Sequence, residues 1–254
     1  MKHCRWLIAL MMFVITSCSK DSLFDVQYKV IAHRGCWKDA NGAENSLEGL
    51  SQAIRIGVDG VELDVCKTID DSLIIVHGDK HGEYIISKTE FLTLRQVRLS
   101  NGEVLPTLSE YLSYYKKTDS NLELIIEIKQ PKTEELVVKT IEYFGLSSQV
   151  KLISFGWDIC KQVKSLNPFI HVSYLNGDKT PKEIYDAGLN GVAYNMTIYQ
   201  KNPNWLGEAY SLGMTTFVWN VNEKSDFKWS SENRLDYIVT DHPRAAMRFK
   251  NRYD

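Results

Sequence analysis

From residue 28 onward, short runs of apolar, β-favouring residues alternate with segments whose apolar positions recur every three or four residues. The first pattern reads as strand and the second as amphipathic helix. Strands are predicted at 29–33 (KVIAH), 60–66 (GVELDVC), 72–77 (SLIIVH), 122–128 (LELIIEI), 150–154 (VKLIS), 170–174 (IHVSY), 191–194 (GVAY), 214–219 (MTTFVW) and 236–240 (DYIVT). Helical patterns fall between them at 46–57, 107–117, 132–144, 156–166, 181–187 and 203–212. Gly57, Gly145, Gly188 and Gly213 stand where four of those helices should stop, since glycine takes the left-handed conformation that ends a helix at little cost. Alternation of this kind calls for βα units around a parallel sheet.

The count of nine strands is one more than a closed barrel needs. Only "KTIDD", residues 67–71, separates 60–66 from 72–77. That is too short for the crossover that parallel neighbours require, so the two must form an antiparallel hairpin. Eight strands remain, and the chain is read as an α/β (β/α)8 TIM barrel over residues 28–254, with a hairpin and a small insertion, 80–106, after the second strand. A turn near Ile69–Asp71 brings His77 back opposite Leu63–Asp64, level with Glu62 and Asp64.

The chain's start differs in kind. Lys2 and Arg5 precede the apolar run "WLIALMMFVI", Trp6–Ile15, which is too short to span a bilayer. The segment reads as a secretory signal over residues 1–17, ending in "ITSC". Those small residues before Cys18 resemble a bacterial lipobox, which implies diacylation of Cys18, a polar tether over 18–27, and an exported lipoprotein held at a periplasmic, outer-membrane or cell-surface leaflet. A plain signal peptide with a chance cysteine is the alternative. Cys36, Cys66 and Cys160 form no disulfide framework and no C-x-x-C pair; buried free thiols are expected, with a Cys36–Cys66 bridge left open. With 44% hydrophobic residues, 24% charged and a formal net charge of −2, the chain is of ordinary globular composition, and nothing in it invites a nucleic-acid partner.

Glu62 and Asp64 are two apart on one strand and so share a face, and Glu127 holds the same kind of position between Ile126 and Ile128. One such acid could be a salt-bridged layer residue of the barrel. Three among Ile, Leu and Val are costly to bury unless a cation compensates them, and an all-oxygen donor set favours Mg2+ or Ca2+ over zinc. His33 ends one strand and His77 ends the hairpin, and two imidazoles on one rim suit a general base and a general acid. Arg34 follows His33 and Lys129 shares the face of Glu127; they either neutralise the acids or clamp a phosphate. A two-carboxylate glycosidase fits less well, because its acids sit apart across the sugar.

At this point "AHRG", "ENS", "VELDV", "VHGD", "LPTL", "IEIK", "VWNVN" and "YIVTDHP", in this order over residues 31–243, resemble the glycerophosphodiester phosphodiesterase family. The resemblance implies a (β/α)8 barrel. It also implies His33 and His77 as the acid–base pair, Glu62, Asp64 and Glu127 as ligands of a divalent cation, Arg34 and Lys129 on the phosphate, and Trp219 lining the substrate pocket. The implied reaction has a neighbouring glycerol hydroxyl attack phosphorus with the help of one histidine. The other histidine protonates the departing alcohol, and water then opens the cyclic phosphate.

Two positions depart from the family's pattern. Ala43-Glu44-Asn45-Ser46 stands where the family has Pro-Glu-Asn-Thr, and Asn45 or Ser46 can still cap the following helix. Gly78 separates His77 from Asp79, which makes His81 a rival for the second histidine, and "KHGEYIISKTEFLTL" after it follows no family pattern. The expected substrates are deacylated phospholipid head groups. Two other readings stand beside this one: an enzyme of intact phospholipid or another sugar-phosphate diester, for which Trp37 and Tyr84 are scattered candidates for an apolar rim, and a non-catalytic lipoprotein that binds such ligands. The leaving alcohol, the choice of Mg2+ or Ca2+ and the oligomeric state are not legible at this level.

Overall fold

The structure, a computed structural model, describes residues 28–38 and 42–253. The signal, Cys18 and the tether lie outside the described residues.

Among the described residues, the eleven strands are β1 (Lys29–Ala32), β2 (Gly60–Lys67), β3 (Leu73–Ile75), β4 (Lys80–His81), β5 (Tyr84–Ile85), β6 (Glu123–Ile128), β7 (Val150–Ser154), β8 (His171–Tyr174), β9 (Gly191–Asn195), β10 (Thr215–Trp219) and β11 (Tyr237–Thr240). Eight of them run parallel in the order β1-β11-β10-β9-β8-β7-β6-β2, and β1 pairs with β2 to close the barrel. The helices are α1 (Leu47–Ile56), α2 (Phe91–Leu94), α3 (Leu108–Lys117), α4 (Glu134–Tyr143), α5 (Trp157–Leu166), α6 (Pro181–Asp186), α7 (Met196–Lys201), α8 (Trp205–Ser211), α9 (Lys224–Glu232) and α10 (Pro243–Tyr253). The four stop glycines all have left-handed φ.

β3 pairs antiparallel with β2, Val65 opposite Ile75 and Lys67 opposite Leu73, and the Val76 amide continues the ladder to the Asp64 carbonyl at 3.0 Å. The turn is tied by Thr68, whose amide donates to the Ser72 carbonyl at 3.0 Å, and by Asp71 at φ 59°. Extending the register sets His77 opposite Leu63, as the hairpin requires. Residues after it form the small β4–β5 ribbon, a 3-10 turn and α2, which bury Ile86, Leu94 and Leu105 against Cys66, Ile74 and Val76 on the hairpin's outer face. Glu103 of this insertion accepts from the Leu47 and Glu48 amides and so holds it to the start of α1.

Period-two alternation fills the barrel in layers. At the N-terminal end of the strands Glu123 is paired with Lys29, Lys151 and the Tyr237 hydroxyl. Above them Ile31, Ile125, Ile153, Ala193, Phe217 and Val239 make an apolar plug, with Phe217 stacked on Tyr237. The next residues along the same faces, His33, Glu127, Phe155, Trp219 and Asp241, form the C-terminal rim. The plug closes the barrel below that rim, so the rim is a pocket and not a pore. Cys36, Cys66 and Cys160 are buried, and none of them is in a disulfide among the described residues.

Candidate active site

The rim starts with a turn. After β1 the chain reverses through Arg34 at φ 55° and Gly35 at φ 81°; a Cβ on Gly35 would lie 3.0 Å from the Gly49 backbone, so only glycine fits. The reversal aims the Arg34 amide at Glu62 Oε2, 2.9 Å away, and leaves the Arg34 carbonyl to accept from Asn45 N at 2.9 Å. Arg34 Nη1 donates to Glu44 Oε2 at 2.8 Å, and its Nε stands 3.2 Å from Asp64 Oδ2, close enough for an ion pair but not aimed as a hydrogen bond.

β2 and β6 supply three acids. Glu62, Asp64 and Glu127 are buried, and one oxygen of each lies within 4.8 Å of the others. Lys129 Nζ reaches Glu127 Oε1 at 2.7 Å and Asp64 Oδ1 at 3.3 Å. Asn45 grips Asp64 twice, donating from Nδ2 to Oδ2 at 2.9 Å and accepting from the Asp64 amide at 3.1 Å. Ser46, not Asn45, caps α1. Three carboxylates thus face two cations, which leaves an excess of negative charge out of water. Burial pushes Glu127 up to about 7 against the pull of Lys129. Burial, with Asp64 and Glu127 beside it, pushes Glu62 well above the usual carboxylate range. A hard divalent cation would relieve that strain, and the all-oxygen donor set fits one.

His33 and His77 stand on the same rim. His33 Nδ1 lies 2.7 Å from Asp241 Oδ1, the Asn220 side-chain amide lies 2.9 Å from the same nitrogen, and Nε2 is 3.9 Å from Glu62 Oε2. Asp241 also accepts from Lys38 Nζ and from Asn222 Nδ2, each at 3.1 Å. Burial works against its ionisation, but His33 and Lys38 hold it well below the usual carboxylate range. Burial lowers His77, and Arg34 and Lys129 add to the effect against the pull of Asp64. His81 is elsewhere: it is buried in β4 with Nε2 3.0 Å from the Val97 carbonyl, and it does not line the cavity. Trp37 and Tyr84 also stay out of the cavity lining.

The cavity is about 210 Å³. One wall is polar: His33, Arg34, Glu62, His77, Glu127 and Lys129. The facing wall is apolar, with Ile153, Phe155, Leu175 and Trp219. Trp219 is fixed by donating from Nε1 to the Ala193 carbonyl at 2.6 Å and meets Phe155 edge to face at 5.6 Å. All the site residues expected from the sequence, Cys18 apart, therefore converge. Asp241, Asn220, Asn45 and Glu44 were not singled out for these contacts, although all four lie inside the quoted motifs or beside them. Their partners are 10 to 208 residues away, a distance no local pattern reports.

The sequence profile of the Glycerophosphoryl diester phosphodiesterase family matches residues 33–245. A glycerophosphodiester phosphodiesterase of Caldanaerobacter subterraneus subsp. tengcongensis is 28% identical over 244 residues, covering 84% of this chain and 94% of that protein. A crystal structure of a glycerophosphodiester phosphodiesterase from Parabacteroides distasonis superposes with a TM-score of 0.87 at 34% identity, covering 91% of this chain and 100% of that one. An Oleispira antarctica phosphodiesterase, solved in complex with the product sn-glycerol-3-phosphate, shares the fold at 21% identity and a TM-score of 0.76, over 90% of this chain and 99% of that one.

Proposed function

The chain belongs to the glycerophosphoryl diester phosphodiesterase family, and from that premise we propose that it hydrolyses deacylated phospholipid head groups to glycerol 3-phosphate and an alcohol, using His33 and His77 as acid–base pair beside a divalent cation. The observation that carries this reading is the convergence of two histidines, two cations and a cluster of three buried acids, two of them exposed to the cavity, at one polar wall. Pockets for drug-sized ligands run about 300–1,000 Å³. At about 210 Å³ this one matches a glycerophosphoryl group better than anything bearing acyl chains.

Glu62, Asp64 and Glu127 would hold the cation, Mg2+ or Ca2+. When bound, it supplies positive charge for the phosphoryl oxygens and acidity for a nearby hydroxyl. Arg34 and Lys129 clamp the non-bridging oxygens and orient the diester. The Asp241 carboxylate requires the His33 proton on Nδ1, which leaves Nε2 as the lone-pair nitrogen facing the cavity. His33 Nε2 therefore takes the proton of the glycerol hydroxyl as its oxygen bonds to phosphorus. His77 gives its proton to the alcohol oxygen as the P–O bond to that oxygen breaks; the anionic diester beside it favours the protonated imidazole that burial otherwise disfavours. Water then opens the cyclic phosphate with the proton roles reversed. The glycerol carbons rest on Phe155 and Trp219.

The test is release of glycerol 3-phosphate from glycerophosphocholine, glycerophosphoethanolamine and glycerophosphoinositol, abolished by chelator and by His33→Ala. A folded, metal-loaded protein that cleaves none of the three would end the substrate claim. The proposal includes export and acylation at Cys18, as the amino-terminal segment suggests; fatty-acid labelling that is lost in Cys18→Ala tests that part separately.

A further inference from the structure

Among the described residues, the two most exposed large apolar side chains stand at the end of the barrel opposite the cavity. Each βα unit returns the chain from the catalytic rim, so helix ends and αβ loops lie at the N-terminal face. There Tyr143, at the end of α4, is 85% exposed; Phe169, two residues before β8, is 92% exposed; Tyr185, in the last turn of α6, is 49% exposed. Leu166 closes α5 beside them. These elements are neighbours, for Asn167 Nδ2 donates to Glu142 Oε1 at 2.7 Å and Lys164 Nζ reaches Asn190 Oδ1 at 3.0 Å.

The Phe169 loop is fixed. Asn167 Oδ1 accepts from the Phe169 amide at 2.9 Å, and Lys164 Nζ donates to the Pro168 carbonyl at 2.6 Å and to that of Ile170 at 3.1 Å. A loop held on both sides of an exposed phenyl ring presents that ring to a partner, and clustered exposed apolar residues mark such surfaces. Aromatic side chains also favour the headgroup level of a bilayer. The start of the described chain points to the same partner: β1 begins at this face, with Lys29 paired to Glu123 at the foot of β6.

We propose that this N-terminal face is the membrane-contacting surface. The rings of Phe169, Tyr143 and Tyr185 seat among the head groups of the leaflet that holds Cys18, and the catalytic mouth opens away from it into water. The inference rests on the anchor reading of Cys18. Its consequence is that diesters reach the site from solution, while lipids of the anchoring leaflet stay out of reach.

The rival orientation would dip the hairpin tip, where Ile69 is 59% and Leu92 70% exposed, into the lipid. Two observations argue against it. The tip offers aliphatic side chains, whereas the opposite end offers the aromatic rings that favour the headgroup level. The chain that leads back to Cys18 leaves the barrel at the N-terminal face, and β2, tilted by about 36°, sets the tip about 20 Å higher along the barrel axis, so the tether would have to climb the barrel wall.

The experiment uses full-length acylated protein in phosphatidylcholine vesicles carrying a lipid-borne doxyl quencher. Phe169→Cys or Leu92→Cys bears an environment-sensitive fluorophore, the thiols of Cys36, Cys66 and Cys160 being buried. Fluorescence should be lost at 169 and kept at 92. Loss at 92 instead, or at neither position, overturns the orientation. A label at Tyr185→Cys should escape quenching once Phe169→Ser and Tyr143→Ser are added, while glycerophosphocholine turnover stays at the wild-type rate; undiminished quenching there would also overturn it. The mass of the Cys18 peptide separates the two claims. Unmodified Cys18 sinks the anchor, whereas acylated Cys18 with an unquenched label at 169 sinks the orientation alone.

Discussion

Oδ1 of Asp241 lies 2.7 Å from Nδ1 of His33, joining residues 208 positions apart across the closure of the barrel. A carboxylate at that distance favours the tautomer with the proton on Nδ1, which the proposed base role of Nε2 requires. Asp241→Asn keeps the shape but removes the charge and can turn an NH2 donor toward Nδ1, so the tautomer is no longer selected. We expect kcat to fall by about 10²-fold, within the range that a well-placed general base contributes, with KM changed little. A loss confined to KM would mean that Asp241 serves binding and not the base.

His77 and His81 are both histidines of the hairpin insertion, yet only His77 lines the cavity. His77→Ala should cost about 10²- to 10⁴-fold in kcat, as His33→Ala should. His81→Ala should leave turnover intact and lower the melting temperature, since it strips the Val97 carbonyl of its partner. Steady-state kinetics and thermal melts of the three variants decide this, and the reverse ranking would reassign the acid.

The cation should be visible without substrate. Binding to the folded state alone contributes about 2.7 kcal/mol at a hundredfold excess over Kd, or about 5–10 °C in Tm for a domain of this size. Chelated protein should therefore melt lower and recover with Mg2+ or Ca2+. The double variant Asp64→Asn/Glu127→Gln should lose that response. A cation-dependent shift that survives the double variant would move the ion elsewhere.

The strands were legible because barrel strands are nearly continuous apolar runs, and the hairpin because five residues cannot make a crossover. What the sequence left out has physical reasons. α9, KSDFKWSSE, carries four charged and three hydroxyl side chains in nine residues and buries only Phe227 and Ser230, so its apolar stripe is faint. The insertion after His77 buries its own small cluster against the hairpin, and no period reports a partner that close in space but irregular in sequence. At the site, residue types announced the acids, cations and histidines. The contacts that orient them depend on the closure of β1 against β11 and on left-handed Arg34 and Asn45. Asn45 shows the difference: the pattern offers Asn45 or Ser46 as the helix cap, and the structure gives the cap to Ser46 while the Asn45 amide clamps Asp64.

His171 makes acid stability a test of the barrel's opposite end. Its ring is largely buried near the foot of β8, Nε2 is 3.0 Å from Thr215 Oγ1, and Nδ1 has no partner. Burial, with Lys151 and Lys164 nearby, lowers its pKa from 6.5 to about 4. Between those two values the unfolded chain binds a proton that the folded chain refuses, so stability falls as pH drops through this window and levels off below about 4. The slope for one such proton is at most about 1.4 kcal/mol per pH unit. Urea titrations of wild type and His171→Gln at pH 7, 6, 5, 4, 3.5 and 3 should show the wild type losing stability more steeply between pH 6 and 4, by about 1 kcal/mol per unit, with the two curves parallel below pH 4. Parallel curves across the whole range would mean that the His171 ring is already charged, or already solvated, in the folded protein.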